Sequence, residues 1–141
     1  MKKVMVFGTY DLVHSGHLSF FKQAKKLGDY LIVVVARDEN SARIKGRFPR
    51  NDEKTRLANV RKVKLVDKAI LGSRTYNFYR TIRTHKPVTI ALGYDQKPSI
   101  RQLKKDLRKH RLANVKIVRL RPYKPQIYKS SKLLNSDSVV S

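Results

Sequence analysis

The chain has no cysteine and no tryptophan, and only 10 acidic residues, 6 glycines and 5 prolines among its 141 positions. Without cysteine there is no disulfide framework, no thiol nucleophile and no thiolate-rich zinc site. No apolar run approaches the ~20 residues that a membrane-spanning helix needs. No secretory signal segment is recognisable either, so the expected location is the cytoplasm and no membrane partner is expected. Repeats and low-complexity tracts are also missing. A chain of this length reads as one folded unit that buries roughly two-thirds of its unfolded surface.

Base is what the chain has in excess. Lys and Arg number 33, which gives a formal net charge of +23 and a sequence pI near 10.7. Such a balance attracts polyanions and predicts non-specific binding of RNA or DNA at low salt. The basic residues are spread through the expected helices and alternate with apolar positions. Leu103, Leu107 and Leu112, for instance, are set among Lys104, Lys105, Arg108, Lys109 and Arg111. Most of the charge therefore reads as solvated helix face, with a subset lining a pocket for a substrate that carries several phosphates.

Short β-branched runs alternate with helical periodicity along the whole sequence. Strands are expected at Val4–Phe7, Tyr30–Ala36, Ala69–Leu71, Val88–Leu92 and Val115–Leu120, apolar throughout, as strands covered on both faces are. Helices are expected at about His17–Leu27, Asp38–Ile44, Glu53–Val63, Thr75–His85 and Ser99–His110. Gly28 stands where a helix C-cap belongs, Asp38 and Asp52 where N-caps belong, and Pro87 stops the fourth helix. This alternation implies an α/β fold: a single Rossmann-like, doubly wound, five-stranded parallel sheet with helices on both faces. Ligands of such sheets bind beyond the C-terminal strand ends, where strand order reverses.

The segment Gly8-Thr9-Tyr10-Asp11-Leu12-Val13-His14-Ser15-Gly16-His17 joins the first strand to the first helix. A strand end feeding a helix start directs unpaired N–H groups and the positive end of the helix dipole at one point, which suits a phosphate. Gly8 and Gly16 let the main chain approach a bulky anion. His14 and His17 can both face that pocket and donate to phosphate oxygens. The other two histidines, His85 and His110, sit in Lys-rich helical surroundings. No metal held by the protein itself is expected.

This segment resembles the signature of the HxGH nucleotidyltransferases, the cytidylyltransferase-like group, and further motifs agree in order. Lys64-Leu65-Val66-Asp67-Lys68-Ala69-Ile70 is similar to the family's Arg-Tyr-Val-Asp-Glu-Val-Ile segment, with Arg56 upstream at the spacing of a family arginine. Leu92-Gly93-Tyr94-Asp95 resembles its Gly-x-Asp turn, and Tyr128-Lys129-Ser130-Ser131-Lys132-Leu133 its closing Ser/Thr motif. The resemblance spans about residues 2–134, the expected nucleotidyltransferase domain, with 135–141 as a frayed tail. Within the group, Val35-Ala36-Arg37-Asp38-Glu39, Leu92-Gly93-Tyr94-Asp95-Gln96 and the basic run from Arg119 to Lys124 most resemble the small archaeal FAD synthases, which adenylylate FMN. Glycerol-phosphate cytidylyltransferases share the skeleton. They tend to show Gly-Asp-Asp-Trp at Gly93–Gln96 and an Arg where Lys124 stands.

The resemblance implies that ATP and FMN are the substrates. It assigns catalysis to His14, His17 and Lys45, and phosphate or nucleoside binding to Gly8, Thr9, Tyr10, Gly16, Gly93, Tyr94, Asp95, Lys124, Tyr128, Ser130 and Ser131. Asp11 and Arg56 are weaker candidates for contacting the acceptor. A divalent cation, Mg²⁺, would accompany the triphosphate. Lys45-Gly46-Arg47-Phe48-Pro49-Arg50 reads as a mobile basic loop, either a plain connection or a lid, and Tyr94 as the tyrosine on the nucleoside turn. Tyr10, Tyr76 and Tyr79 are further candidates for stacking on a flavin ring, although the helical spacing of Tyr76 and Tyr79 fits core packing better. A homodimer is expected by analogy. The rival readings are a cytidylyltransferase acting on glycerol 3-phosphate or phosphoethanolamine, and a basic nucleic-acid-binding module on the same fold.

Overall fold

A computed structural model of the chain describes residues 1–75, 77–94, 96 and 99–122. Among these, five strands alternate with five helices: β1 (Lys3–Gly8), α1 (Ser15–Lys25), β2 (Tyr30–Val35), α2 (Asp38–Lys45), α3 (Glu53–Arg61), β3 (Lys68–Leu71), α4 (Phe78–His85), β4 (Thr89–Leu92), α5 (Ile100–Lys109) and β5 (Lys116–Arg119). The strands form one sheet in the order β3-β2-β1-β4-β5, and every pairing is parallel. The expected doubly wound α/β architecture is present. Strand order reverses between β1 and β4, so the β1–α1 and β4–α5 connections leave the sheet side by side.

The apolar strand runs follow from coverage on both faces. Val4, Val6, Leu31, Val33 and Val35 point to one face and pack against Phe21 and Ala24 of α1 and Val60 of α3. Met5, Ile32 and Val34 point to the other, under Ile82 of α4 and Leu103 and Leu107 of α5. Burying these aliphatic side chains stabilises the sheet by roughly 1.5–3 kcal/mol each before chain entropy is subtracted.

Two capping expectations and one helix start change. Helix α1 ends at Lys25, with Lys26 in a right-handed conformation as its cap, so Gly28 does not close it. Gly28 is needed for another reason: a Cβ there would lie 2.4 Å from the Lys2 carbonyl oxygen. Asp38 is not the cap of α2. Arg37 takes that position without a side-chain bond, and Asp38 instead accepts from the buried Arg56 at 2.7 Å. Helix α4 starts at Phe78 rather than Thr75, because the Asn77 side chain caps it by accepting from the Arg80 N–H. Asp52 caps α3 as expected, accepting from the Thr55 N–H at 2.7 Å. No helix among the described residues is long and apolar enough to cross a membrane.

Candidate active site

The β1–α1 connection is built around a buried peg. Tyr10 has a φ of 54°, a left-handed conformation that costs an aromatic residue about 1–2 kcal/mol. Its side chain is fully buried, edge-on to His17 at 5.2 Å and tilted against Phe21 at 5.4 Å. That packing offsets the strain and fixes the turn. The Tyr10 ring therefore cannot stack on a ligand, and burial pushes its hydroxyl pKa far up.

His14 is extended, at φ −138°, and is the N-cap of α1. Its Nδ1 accepts from the Gly16 N–H at 2.9 Å. An imidazole nitrogen that accepts carries no proton, so the proton of the neutral ring sits on Nε2. Burial lowers the His14 pKa from its ordinary value, which keeps the ring neutral near pH 7. Nε2 is itself buried and has no hydrogen-bond partner among the described residues. The His14 and His17 rings stack at 4.0 Å between centroids, and His17 is only 4% exposed. No acidic residue occupies the first turn of α1, so nothing there competes with an anion for the helix dipole.

Gly16 has a tighter purpose than leaving room for an anion. A Cβ on it would lie 2.7 Å from His14 Cε1 and 3.0 Å from Nδ1. The space in front of Gly16 is where the capping imidazole lies, so the glycine is what permits the two rings to stack.

Behind this seat runs a brace. Asp11 accepts from the backbone N–H groups of Arg50 at 2.8 Å and Asn51 at 2.9 Å, while Asn51 Nδ2 donates to the Asp11 carbonyl at 2.7 Å. Burial by itself would raise the Asp11 pKa, but the backbone hydrogen bonds from Asn51 and Arg50, with the nearby Arg56 charge, bring it below the ordinary carboxylate range. Arg56 is fully buried. It donates to the Thr9 carbonyl at 2.8 Å, the Asn51 carbonyl at 3.0 Å and the Asp38 carboxylate at 2.7 Å. Expected at the acceptor substrate, Arg56 is instead enclosed behind the turn, because its guanidinium is the group that satisfies these inward-facing oxygens. Thr9 also turns inward, its hydroxyl 3.1 Å from that of Ser41. Lys45, half-buried, ends α2, and Gly46 closes the helix at φ 79°. The basic loop 46–50 thus follows directly on Lys45 and is pinned at its far end to Asp11, in the turn that leads to His14.

Across the switch point, the Gln96 side chain accepts from the Gly93 N–H at 3.0 Å and donates to the Phe7 carbonyl at 2.7 Å. Arg119 Nη1 donates to the carbonyls of Gly93 and Gln96. These two side chains fasten the Gly93–Tyr94 turn to the end of β1. Both residues belong to stretches that carry the family resemblance, but no role in the site was expected of either, since their partners lie on distant segments. Four of the large apolar side chains left exposed also lie on this edge of the sheet: Leu12 (71%), Leu18 (42%), Phe48 (66%) and Tyr94 (47%). Phe48, a single aromatic in a basic Gly/Pro loop, was the readable hint. Tyr79 stacks on His110 at 3.9 Å. Asp95, Lys124, Tyr128, Ser130, Ser131 and Tyr76 lie outside the described residues.

A helix start free of acid, a stacked His pair with a donor unmet among the described residues, and a second turn fastened alongside meet where the strand order reverses. Residues 5–136 match the cytidylyltransferase-like family. The chain belongs to that family. Among its cytidylyltransferase-like relatives, the FAD synthase of Thermoplasma volcanium is 44% identical over 133 residues, covering 94% of this chain and 92% of that protein. The FAD synthase of Archaeoglobus fulgidus is 46% identical over 117 residues, covering 83% of this chain and 82% of the relative. A crystal structure from Thermoplasma volcanium, described as a lipopolysaccharide core biosynthesis protein, superimposes with a TM-score of 0.82 at 44% identity, covering 88% of this chain and 99% of that one. Among the described residues of this cytidylyltransferase-like protein, no three His, Cys, Asp or Glu side chains come together as a metal site.

Proposed function

We propose that this protein is an FMN adenylyltransferase: it transfers AMP from ATP to FMN, forming FAD and releasing pyrophosphate. A phosphate oxygen of FMN attacks the α-phosphorus of ATP in line. The new O–Pα bond forms as the bond from Pα to the oxygen bridging Pβ breaks, and that oxygen leaves with pyrophosphate. The attacking monoester has a second pKa near 6 and is already ionised, so no general base is needed. The protein's contribution is position and charge neutralisation.

The observation that carries the reading is the buried Nε2–H of His14, unpartnered among the described residues, at the acid-free start of α1. An orphaned donor in a buried seat loses solvation until an acceptor arrives, and a triphosphate oxygen supplies one. His17, stacked against it, completes the pair. Lys45, at the head of loop 46–50, brings a cation over the transferring phosphate. By the family pattern, Asp95 contacts the nucleoside, and Lys124, Tyr128, Ser130 and Ser131 hold the outer phosphates. The backbone of Gly8, Thr9 and Tyr10 lines the floor. Mg²⁺ enters with ATP as part of the substrate, in keeping with its preference for phosphate oxygens and water over a protein cage. The exposed Phe48 and Tyr94 rings and Leu12 offer apolar surface for a flat heterocycle such as isoalloxazine.

Incubation with ATP, FMN and Mg²⁺, followed by mass detection of FAD, tests the proposal. Turnover of CTP with glycerol 3-phosphate or phosphoethanolamine, and no FAD from ATP, would replace it with the cytidylyltransferase reading.

A further inference from the structure

The positive charge is less evenly used than its spread along the sequence suggests. From Lys68 to Pro122 the only acidic residues are Asp95 and Asp106. The ion pairs Lys25–Asp67, Arg37–Glu53 and Arg56–Asp38 all lie before Lys68. Helices α4 and α5 cover one face of the sheet with Ile82, Leu103 and Leu107 turned inward, and what they turn outward is nearly all cationic. Helix α5 exposes Arg101, Lys104, Lys105, Arg108 and Lys109, and α4 adds Arg80 and Arg83. The two helices adjoin, because Arg83 donates to the His110 carbonyl at 3.1 Å and Tyr79 stacks on His110. The one carboxylate within α5, that of Asp106, accepts from Gln102 at 3.0 Å.

Arg101 and Lys105, Lys104 and Arg108, and Lys105 and Lys109 are each four residues apart, so they repel one another along two adjacent rows that form one cationic ridge. All five of these α5 side chains are exposed, so burial in the core does not require their charge. A ridge of like charge is relieved by a partner that brings the counter-charge. We infer that the outer face of α4 and α5 is a docking surface for the phosphate backbone of nucleic acid, separate from the nucleotide seat. A helix of ten residues is about 15 Å long, enough to follow several backbone phosphates rather than one small anion. An anionic membrane fits less well: surface-lying helices carry Trp, Phe or Leu to insert, and the apolar residues of α4 and α5 are spent on the sheet. The cations reach the backbone as point charges, so binding depends on salt and carries no base preference.

The test uses the full chain and a labelled DNA duplex of about 20 base pairs, followed by fluorescence anisotropy across a salt series. The wild type is expected to show a log–log salt slope of about −4 to −5. Combining Arg83→Glu, Lys104→Glu and Lys105→Glu is expected to weaken binding about 100-fold and flatten the slope by about 3. The control Lys22→Glu, Lys54→Glu and Lys62→Glu makes the same change in net charge on the α1/α3 side, and is expected to weaken binding less than about 5-fold. FAD formation should be unchanged in both. If the reversed chain does not fold, Arg83→Gln, Lys104→Gln and Lys105→Gln take its place. Equal loss in both sets would overturn the proposal by making net charge the whole cause. So would displacement of the duplex by MgATP, which would put it in the triphosphate seat, or binding of anionic phospholipid vesicles with none of the duplex.

Discussion

Gly16→Ala separates the capping geometry from ordinary stability. The added Cβ would fall 2.7 Å from His14 Cε1 and 3.0 Å from Nδ1, closer than non-bonded atoms approach. The imidazole is the free end of a side chain, so it swings away and the backbone stays in place. Losing the cap costs about 1 kcal/mol, while alanine for glycine inside a helix returns up to about 1 kcal/mol. The two nearly cancel, and the melting temperature should move by less than about 4 °C. Activity should not be spared. The displaced ring takes its Nε2–H out of the seat and leaves His17 unstacked. Removing one preorganised donor to developing charge typically costs about 10²–10³-fold in kcat. The expected result is thus a well-folded protein whose FAD formation, followed with saturating ATP and FMN, falls by at least 100-fold. Because Gly16 acts through His14, combining Gly16→Ala with His14→Ala should be no slower than His14→Ala alone. Retention of kcat within about 3-fold in Gly16→Ala, or a double variant slower again by the full single-variant factor, would refute the reasoning.

Arg56→Lys keeps the charge but loses the fork that serves Thr9, Asn51 and Asp38 together. It should cost about 2–4 kcal/mol in urea unfolding, and a loss below 1 kcal/mol would show the brace to be dispensable. The folded-state pKa of His14 lies below its ordinary value, so its neutral form stabilises the fold at and above pH ~6.5. That contribution is lost as pH falls through the folded value; His14→Ala should flatten this acid limb of a melting-temperature profile. Phe48→Ala, at an exposed site, should raise KM for FMN about 3- to 10-fold with unchanged melting temperature, and an unchanged KM would remove Phe48 from the acceptor site.

The alternation of apolar runs with helical stripes was enough to read the order of elements, because strands buried on both faces and amphipathic helices each leave a local period in the residues. Parallel pairing and the switch point followed from handedness rules that apply to any such alternation. The His14–His17 pair was legible for a similar reason: its whole geometry is local, a cap and a glycine within four residues. Tertiary structure alone decided which way the polar side chains turn. Arg56 was expected at the substrate and proved to be a buried brace, since the oxygens it satisfies come from Thr9, Asp38 and Asn51, which no local pattern brings together. Tyr10 became a peg in the core because Phe21 and His17 leave it a slot there. Gln96 and Arg119 acquired work only when β1, β4 and β5 met. The cations of α4 and α5 came to share one outer face only when both helices packed on the same side of the sheet. Periodicity is written between neighbours in sequence, whereas the partner of a buried polar group is set by whatever distant segment the fold delivers.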